Sequence, residues 1–185
     1  MSPMVRLPLT TELALLGFLS REPMYGYEIH QRMSDPQGLG QVWQVKQSQL
    51  YALLGKLEGE GYLASELQLQ EARPPRKMFQ LTEAGKKVFQ EWLHSPVEHS
   101  REVRLDFLVK LYFLREEGAE AVSQLIDRQR LVSQDWLSHQ GEPPQTGQQL
   151  PAYEWYVRQF RAQQIQAILA WLEQVQQAVG KAGPG

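Results

Sequence analysis

The chain has 185 residues, 42% hydrophobic and 22% charged, with 19 Lys and Arg against 21 Asp and Glu. That length supports a buried core in one domain or two small ones, and the lack of cysteine excludes disulfides, Cys-based zinc sites and thiol catalysis while fitting a reducing cytoplasm. A net charge of −2 speaks against a generic polyanion binder; no apolar run approaches the roughly 20 residues of a bilayer span and no basic-then-apolar leader is present, so a soluble, cytoplasmic protein is expected.

Residues 9–20, "LTTELALLGFLS", place Leu13, Leu16 and Leu19 at helical spacing behind Thr10 or Thr11 as a cap, which predicts a first helix. "REPMYGYEIHQRM" restarts after Pro23, and Ile29 with Met33 supplies the i, i+4 pair of a second, shorter helix. Pro36, Gly38 and Gly40 break it. A third helix over about 47–59 stops before Gly61, a residue suited to the left-handed turn after a helix. Alternation through Leu63, Leu67 and Leu69, an interruption at "EARPPR", and resumption at Met78, Phe79 and Leu81 predict two strands around a basic tip. Thr82 can cap a fourth helix whose apolar face is Val88, Phe89, Trp92 and Leu93, ended by Ser95 and Pro96.

Beyond Pro96 the composition shifts. Residues 103–114, "VRLDFLVKLYFL", are apolar nearly all round, as a helix enclosed by protein would be. Residues 119–137 and 151–179 read as two further helices, joined by the loop "GEPPQTGQQLP". The last carries Ile165, Ile168, Leu172, Val175 and Val179 at heptad-like spacing. A helix of that length exceeds what a small N-terminal domain could cover, so the seam is expected to meet a partner helix. The whole is mainly α, with one domain over 1–95 and a second over 96–185.

On the third helix, 100° per residue groups Leu50, Leu53, Leu54 and Leu57 on one side. The opposite side holds Ser48, Tyr51, Ala52, Gly55 and Gly59, flanked by Gln49 and Lys56. Small residues at the centre and hydrogen-bonding groups at the edges describe a surface built for close approach, although a glycine there could equally be tolerated or face a crossing helix. Residues 73–87 contain Arg73, Arg76, Lys77, Lys86 and Lys87 against Glu83, while residues 1–94 carry ten charges of each sign. A groove-reading helix beside a basic two-stranded tip is the winged helix-turn-helix arrangement; five basic residues alone would also fit a solvated cluster.

"GYEI" (Gly26, Tyr27), Trp43, "SQLYALLGKLEGEGYL" and "RKMFQLTEAGK" together resemble the PadR-like transcriptional regulators over roughly residues 9–94. The resemblance implies a winged-helix DNA-binding domain followed by helices that build a homodimer. It implies DNA contacts from Ser48, Gln49 and Tyr51 and, on the wing, Arg76 and Lys77, with Lys56 as a phosphate contact and Thr10, Tyr25, Tyr27 and Arg73 in support. Ala52, Gly55 and Phe79 depart from the family, where proline, a polar or basic residue, and tyrosine are common.

A homodimer bound to a double-stranded DNA operator is therefore expected, with Phe107, Leu111, Ile165, Ile168, Leu172 and Val175 at the dimer interface. By analogy with the family, repression is the expected sign. Trp92, Tyr112, Phe113, Trp136, Tyr153, Trp155, Tyr156 and Trp171 make a small aromatic effector a secondary expectation, against the commoner reading of aromatics as packing. No cofactor and no metal is expected: His30, His94, His99 and His139 lie in different elements without ligand spacing, and His30 and His94 read as surface helix residues. Glu58 with Glu60, and Glu116 with Glu117, resemble solvated helix ends rather than a catalytic dyad, so the chain reads as a non-enzyme. The rival reading is a winged helix that docks on another protein.

Overall fold

The computed structural model describes residues 10–70, 73–140 and 152–181. The chain divides into two compact units, Met1–Leu93 and His94–Gly185.

In the first unit α1 (Thr10–Leu19) is buried almost all round, from Glu12 to Leu19. Two residues, Met24–Tyr25, form β1, and α2 follows at Gly26–Met33, burying Ile29 and Met33 as their spacing predicts. After a short 3₁₀ turn at Leu39–Gln41 comes α3, Gln47–Gly59. Leu50, Leu54 and Leu57 are fully buried, each contributing about 1.5–3 kcal/mol of transfer free energy, while Leu53 is half-buried.

Gly61 takes φ +80°, a left-handed conformation that glycine adopts without a Cβ penalty, and turns the chain from α3 into β2 (Leu63–Gln70). β2 pairs antiparallel with β3 (Arg73–Leu81), Leu63 opposite Leu81 and Gln68 opposite Arg76, with a register irregularity before Gln70. The strands run closer to the tip than "EARPPR" predicts. Pro74 and Pro75 are tolerated there because neither has a paired residue among the described residues: β1 pairs β3 only at Phe79 and Met78, and the β2–β3 register is irregular between Gln68 and Gln70. The sheet order is β1-β3-β2.

Thr82 then starts α4 (Glu83–Leu93), its hydroxyl accepting from the Gly85 N–H at 3.1 Å and lying within hydrogen-bond distance of the Gly61 and Tyr62 carbonyls. A Cβ on Gly85 would lie 2.3 Å from the Tyr62 carbonyl oxygen. Leu-Thr-Glu-Ala-Gly is thus a packing signature: the helix can start this near the β2 turn only without a side chain at Gly85.

In the second unit a 3₁₀ turn (Ser100–Glu102) and a π-helical turn (Val103–Phe107) lead into α5 (Leu108–Leu114), where periodicity predicts one helix. α6 (Ala119–Ser138) and α7 (Tyr153–Lys181) complete it. At ~1.5 Å per residue α7 is about 43 Å long, and α6 is its main packing partner. Gln176 donates to Ser123 at 2.7 Å and Arg130 lies 3.3 Å from Glu173, so the pair is tied by polar contacts.

The residues expected at a dimer interface differ in burial within the chain. Ile165 and Leu172 are buried within this one chain, as is Phe107, whose ring meets Trp171 edge-on at 5.9 Å. Leu111, Ile168 and Val175 are half-buried. The seam's deepest residues, Ile165 and Leu172, thus pack within the chain's own second unit. What α7 leaves exposed is another row, Tyr153, Tyr156 and Phe160.

Candidate nucleic-acid interface

The first turn of α3 presents Ser48 and Gln49 exposed to solvent, with Tyr51 43% exposed. No side chain caps the helix at Lys46, so its first-turn N–H groups point outward with the positive end of the helix dipole. The approach to that turn is anchored: His30 on α2 donates from Nε2 to the Val45 carbonyl at 3.0 Å. His30 is half-buried, so the expectation of a surface histidine gives way to a residue that joins the two helices.

Tyr51 folds back over the start of α2. A Cβ on Gly26 would lie 2.6 Å from the tyrosine's Cε1, so the glycine of "GYEI" makes room for that ring. Gly55, one turn further on, has nothing within 4 Å of an added Cβ, and neither has Gly59. Among the described residues no helix crosses at Gly55, which leaves an open stretch beside Ala52.

Beside this face stands an aromatic stack. Tyr25 and Tyr27 lie 5.8 Å apart and nearly parallel, and the Arg76 guanidinium sits 5.4 Å from the Tyr27 ring centre. The Tyr25 hydroxyl donates to the Gln68 side chain, and the Tyr25 N–H donates to Glu28 at 2.8 Å, fixing the stack at the start of α2. Cation–π contact of this kind is worth ~0.5–1 kcal/mol at an exposed site, a modest bias that keeps half-buried Arg76 beside the stack.

Arg76 and Lys77 do not act as a pair. Alternation along β3 sends them to opposite faces of the sheet. Lys77 lies 5.5 Å from the Phe79 ring and donates to Glu58 of α3 at 2.6 Å. Ser65 of β2 donates to the other carboxylate oxygen at 2.5 Å. The hydrogen bonds from Lys77 and Ser65 hold the Glu58 carboxyl below its ordinary range.

Lys56 is likewise engaged. Its ammonium is 2.5 Å from Glu12, a carboxylate only 1% exposed on α1, and 3.7 Å from Glu60. A buried carboxylate requires such a partner, so any phosphate at Lys56 would share the cation with Glu12. Thr10 is half-buried at the head of α1, and the side chain of Arg73 lies outside the described residues. Among the described residues no group of three His, Asp or Glu could hold a metal ion, and no helix is long and apolar enough to cross a membrane.

Sequence reasoning missed Glu12 and read Glu58 as a solvated helix end and His30 as a surface residue; all three bond to residues distant in the chain, which only the topology brings to them.

Comparison with known proteins decides the family. Residues 15–91 match the model of the transcriptional regulator PadR-like family, and the chain is 33% identical over 127 residues to the negative transcriptional regulator PadR of Bacillus subtilis, covering 68% of each. The chain belongs to the PadR-like family. A second relative of this PadR-like chain, a probable transcriptional regulator of Mycobacterium tuberculosis, is 25% identical over 88 residues, 48% of this chain and 46% of that one. Among solved structures, that of B. subtilis PadR in complex with operator DNA aligns over 92% of this chain and 99% of the other, at 26% identity and a TM-score of 0.45. A protein from Streptococcus mutans aligns over 90% and 98%, at 22% identity and the same TM-score.

Proposed function

We propose that this PadR-like protein is a sequence-specific regulator of transcription that binds a double-stranded DNA operator as a homodimer and represses. The observation that carries the reading is the open face of α3: Ser48, Gln49, Tyr51, Ala52 and Gly55 all exposed, with half-buried Arg76 against the Tyr27 ring. Such a face can lie against base edges while Arg76 meets backbone phosphate. The relative that is a negative regulator and the relative solved with operator DNA support repression and a DNA partner.

Two copies would place two such helices about one DNA turn apart, ~34 Å, on a pseudo-palindromic site. An aromatic effector, if it releases the operator, must bind one dimer geometry better than the other; small aromatics that quench tryptophan fluorescence and weaken DNA binding together would identify it. The competing reading, a winged helix docking on a protein, is favoured by the neutral balance of residues 1–94.

Selection of bound duplexes from a random-sequence pool, followed by titration against salt, separates the two. The expected result is an enriched inverted repeat whose affinity falls steeply with salt. On that duplex Gln49→Ala should alter preference between sequences, whereas Arg76→Ala should lower affinity for all of them. No enrichment, together with salt-insensitive capture of a protein partner, would reverse the assignment.

A further inference from the structure

We propose that Glu58 is a specificity-determining residue of this surface, holding Lys77 so that the wing's cation does not bind phosphate indiscriminately. The inference rests on the DNA-binding reading and concerns how that binding is kept selective.

Both oxygens of Glu58 are occupied, one by Lys77 of β3 and the other by Ser65 of β2. The carboxylate sits in the last turn of α3 and so ties the groove-facing helix to each strand of the wing. Lys77 is further confined by its position near the Phe79 ring. Its side chain is nonetheless 44% exposed, within reach of solvent and of a polyanion.

Non-specific DNA binding comes almost entirely from cations that displace condensed counterions. A lysine closed onto a carboxylate is a neutral pair, and it displaces few until the pair opens. A duplex in the correct register can set a phosphate near the ammonium's remaining donors and share the cation with Glu58. A duplex in arbitrary register must instead break a 2.6 Å charge-assisted bond. Arg76, on the other face, has no ion pair with an acid among the described residues, so it serves any sequence. The two wing cations are thereby assigned different tasks.

Glu58→Gln keeps the shape of the side chain and removes its charge. Binding of a random-sequence duplex and of a duplex selected from a random pool is measured by fluorescence anisotropy from about 50 to about 200 mM salt. Wild type, Glu58→Gln, Lys77→Ala, the double variant and Ser65→Ala are compared. We expect Glu58→Gln to tighten random-duplex binding and steepen its salt slope by about 0.9, so that the gain shrinks roughly 3.5-fold across that range. The preference for the selected duplex should fall. Ser65→Ala should act in the same direction and more weakly, and Lys77→Ala should erase the gain in random-duplex binding in the Glu58→Gln background, change random-duplex binding of wild type little, and lower wild-type affinity for the selected duplex.

An unchanged slope in Glu58→Gln, or a gain that persists without Lys77, would overturn the assignment and leave only a general charge effect. If wild type binds no duplex at any salt, the DNA-binding reading falls and this inference with it.

Discussion

Gly55 shows what a single residue can report about a partner. A glycine in a helix interior costs about 1 kcal/mol relative to alanine, and nothing among the described residues requires it, since an added Cβ meets none of their atoms within 4 Å. Gly26 is the contrast, a glycine explained internally by the Tyr51 ring lying on it. Gly55→Ala should therefore raise stability by about 0.5–1 kcal/mol, read as a higher urea midpoint at unchanged slope. The same variant should bind the selected duplex more weakly, because the methyl group stands where the duplex must come close. A stabilised variant with undiminished DNA affinity would mean that the α3 surface is not approached at that point.

At the scale of elements, polar side chains of α5 and α6 grip residues 94–97, the segment that opens the second unit. Arg128 donates to the His94 carbonyl at 2.7 Å, and Lys110 donates to the Ser95 carbonyl at 2.6 Å and to its hydroxyl at 3.2 Å. Gln129, fully buried on α6, accepts from the Val97 N–H at 2.7 Å and donates to the Val97 carbonyl at 3.3 Å. Lys110 is only 1% exposed, and burial pulls its pKa down to about 8, against smaller opposing effects of Asp106 and Glu102. Between that value and the unfolded value of ~10.4 the unfolded chain binds the extra proton, so this group's contribution to stability rises with pH. Urea unfolding should show wild type gaining on Lys110→Met as pH rises from about 8 to about 10, and a pH-independent difference would place the ammonium in contact with solvent. The partners of this clasp were not legible in the sequence: Lys110 lies in a run that reads as enclosed and Gln129 in a helix like any polar residue, and neither position says which carbonyl it meets. The limits of α3 were legible, because Leu50, Leu54, Leu57 and Gly61 mark them locally. β1 was not, since Met24–Tyr25 becomes a strand only through pairing with Phe79 and Met78, more than fifty positions away. Nor could strand alternation alone say that Lys77 and Arg76 would find partners on opposite faces, because Glu58 and Tyr27 belong to other elements.

For the whole molecule, the question is which surface joins two copies if the operator is read as two half-sites. Heptad spacing points to Ile165 and Leu172, yet both are buried within one chain, and truncating either should behave as a core change: Leu172→Ala should cost about 2–5 kcal/mol of stability. Tyr153, Tyr156 and Phe160, at i, i+3 and i+7, share one face of α7 and stay exposed, Phe160 at 67%. Large aromatics on one exposed helix face are what an isologous contact between copies would cover. Light scattering should find the wild type dimeric at micromolar concentration and Tyr156→Glu with Phe160→Glu monomeric, with unchanged helical circular dichroism. Operator affinity should fall with it by about 10²-fold or more, because the second half-site is then no longer held at high effective concentration. A variant that remains dimeric would move the interface elsewhere on the second unit, and a wild type that is already monomeric would remove the two-half-site reading of the operator.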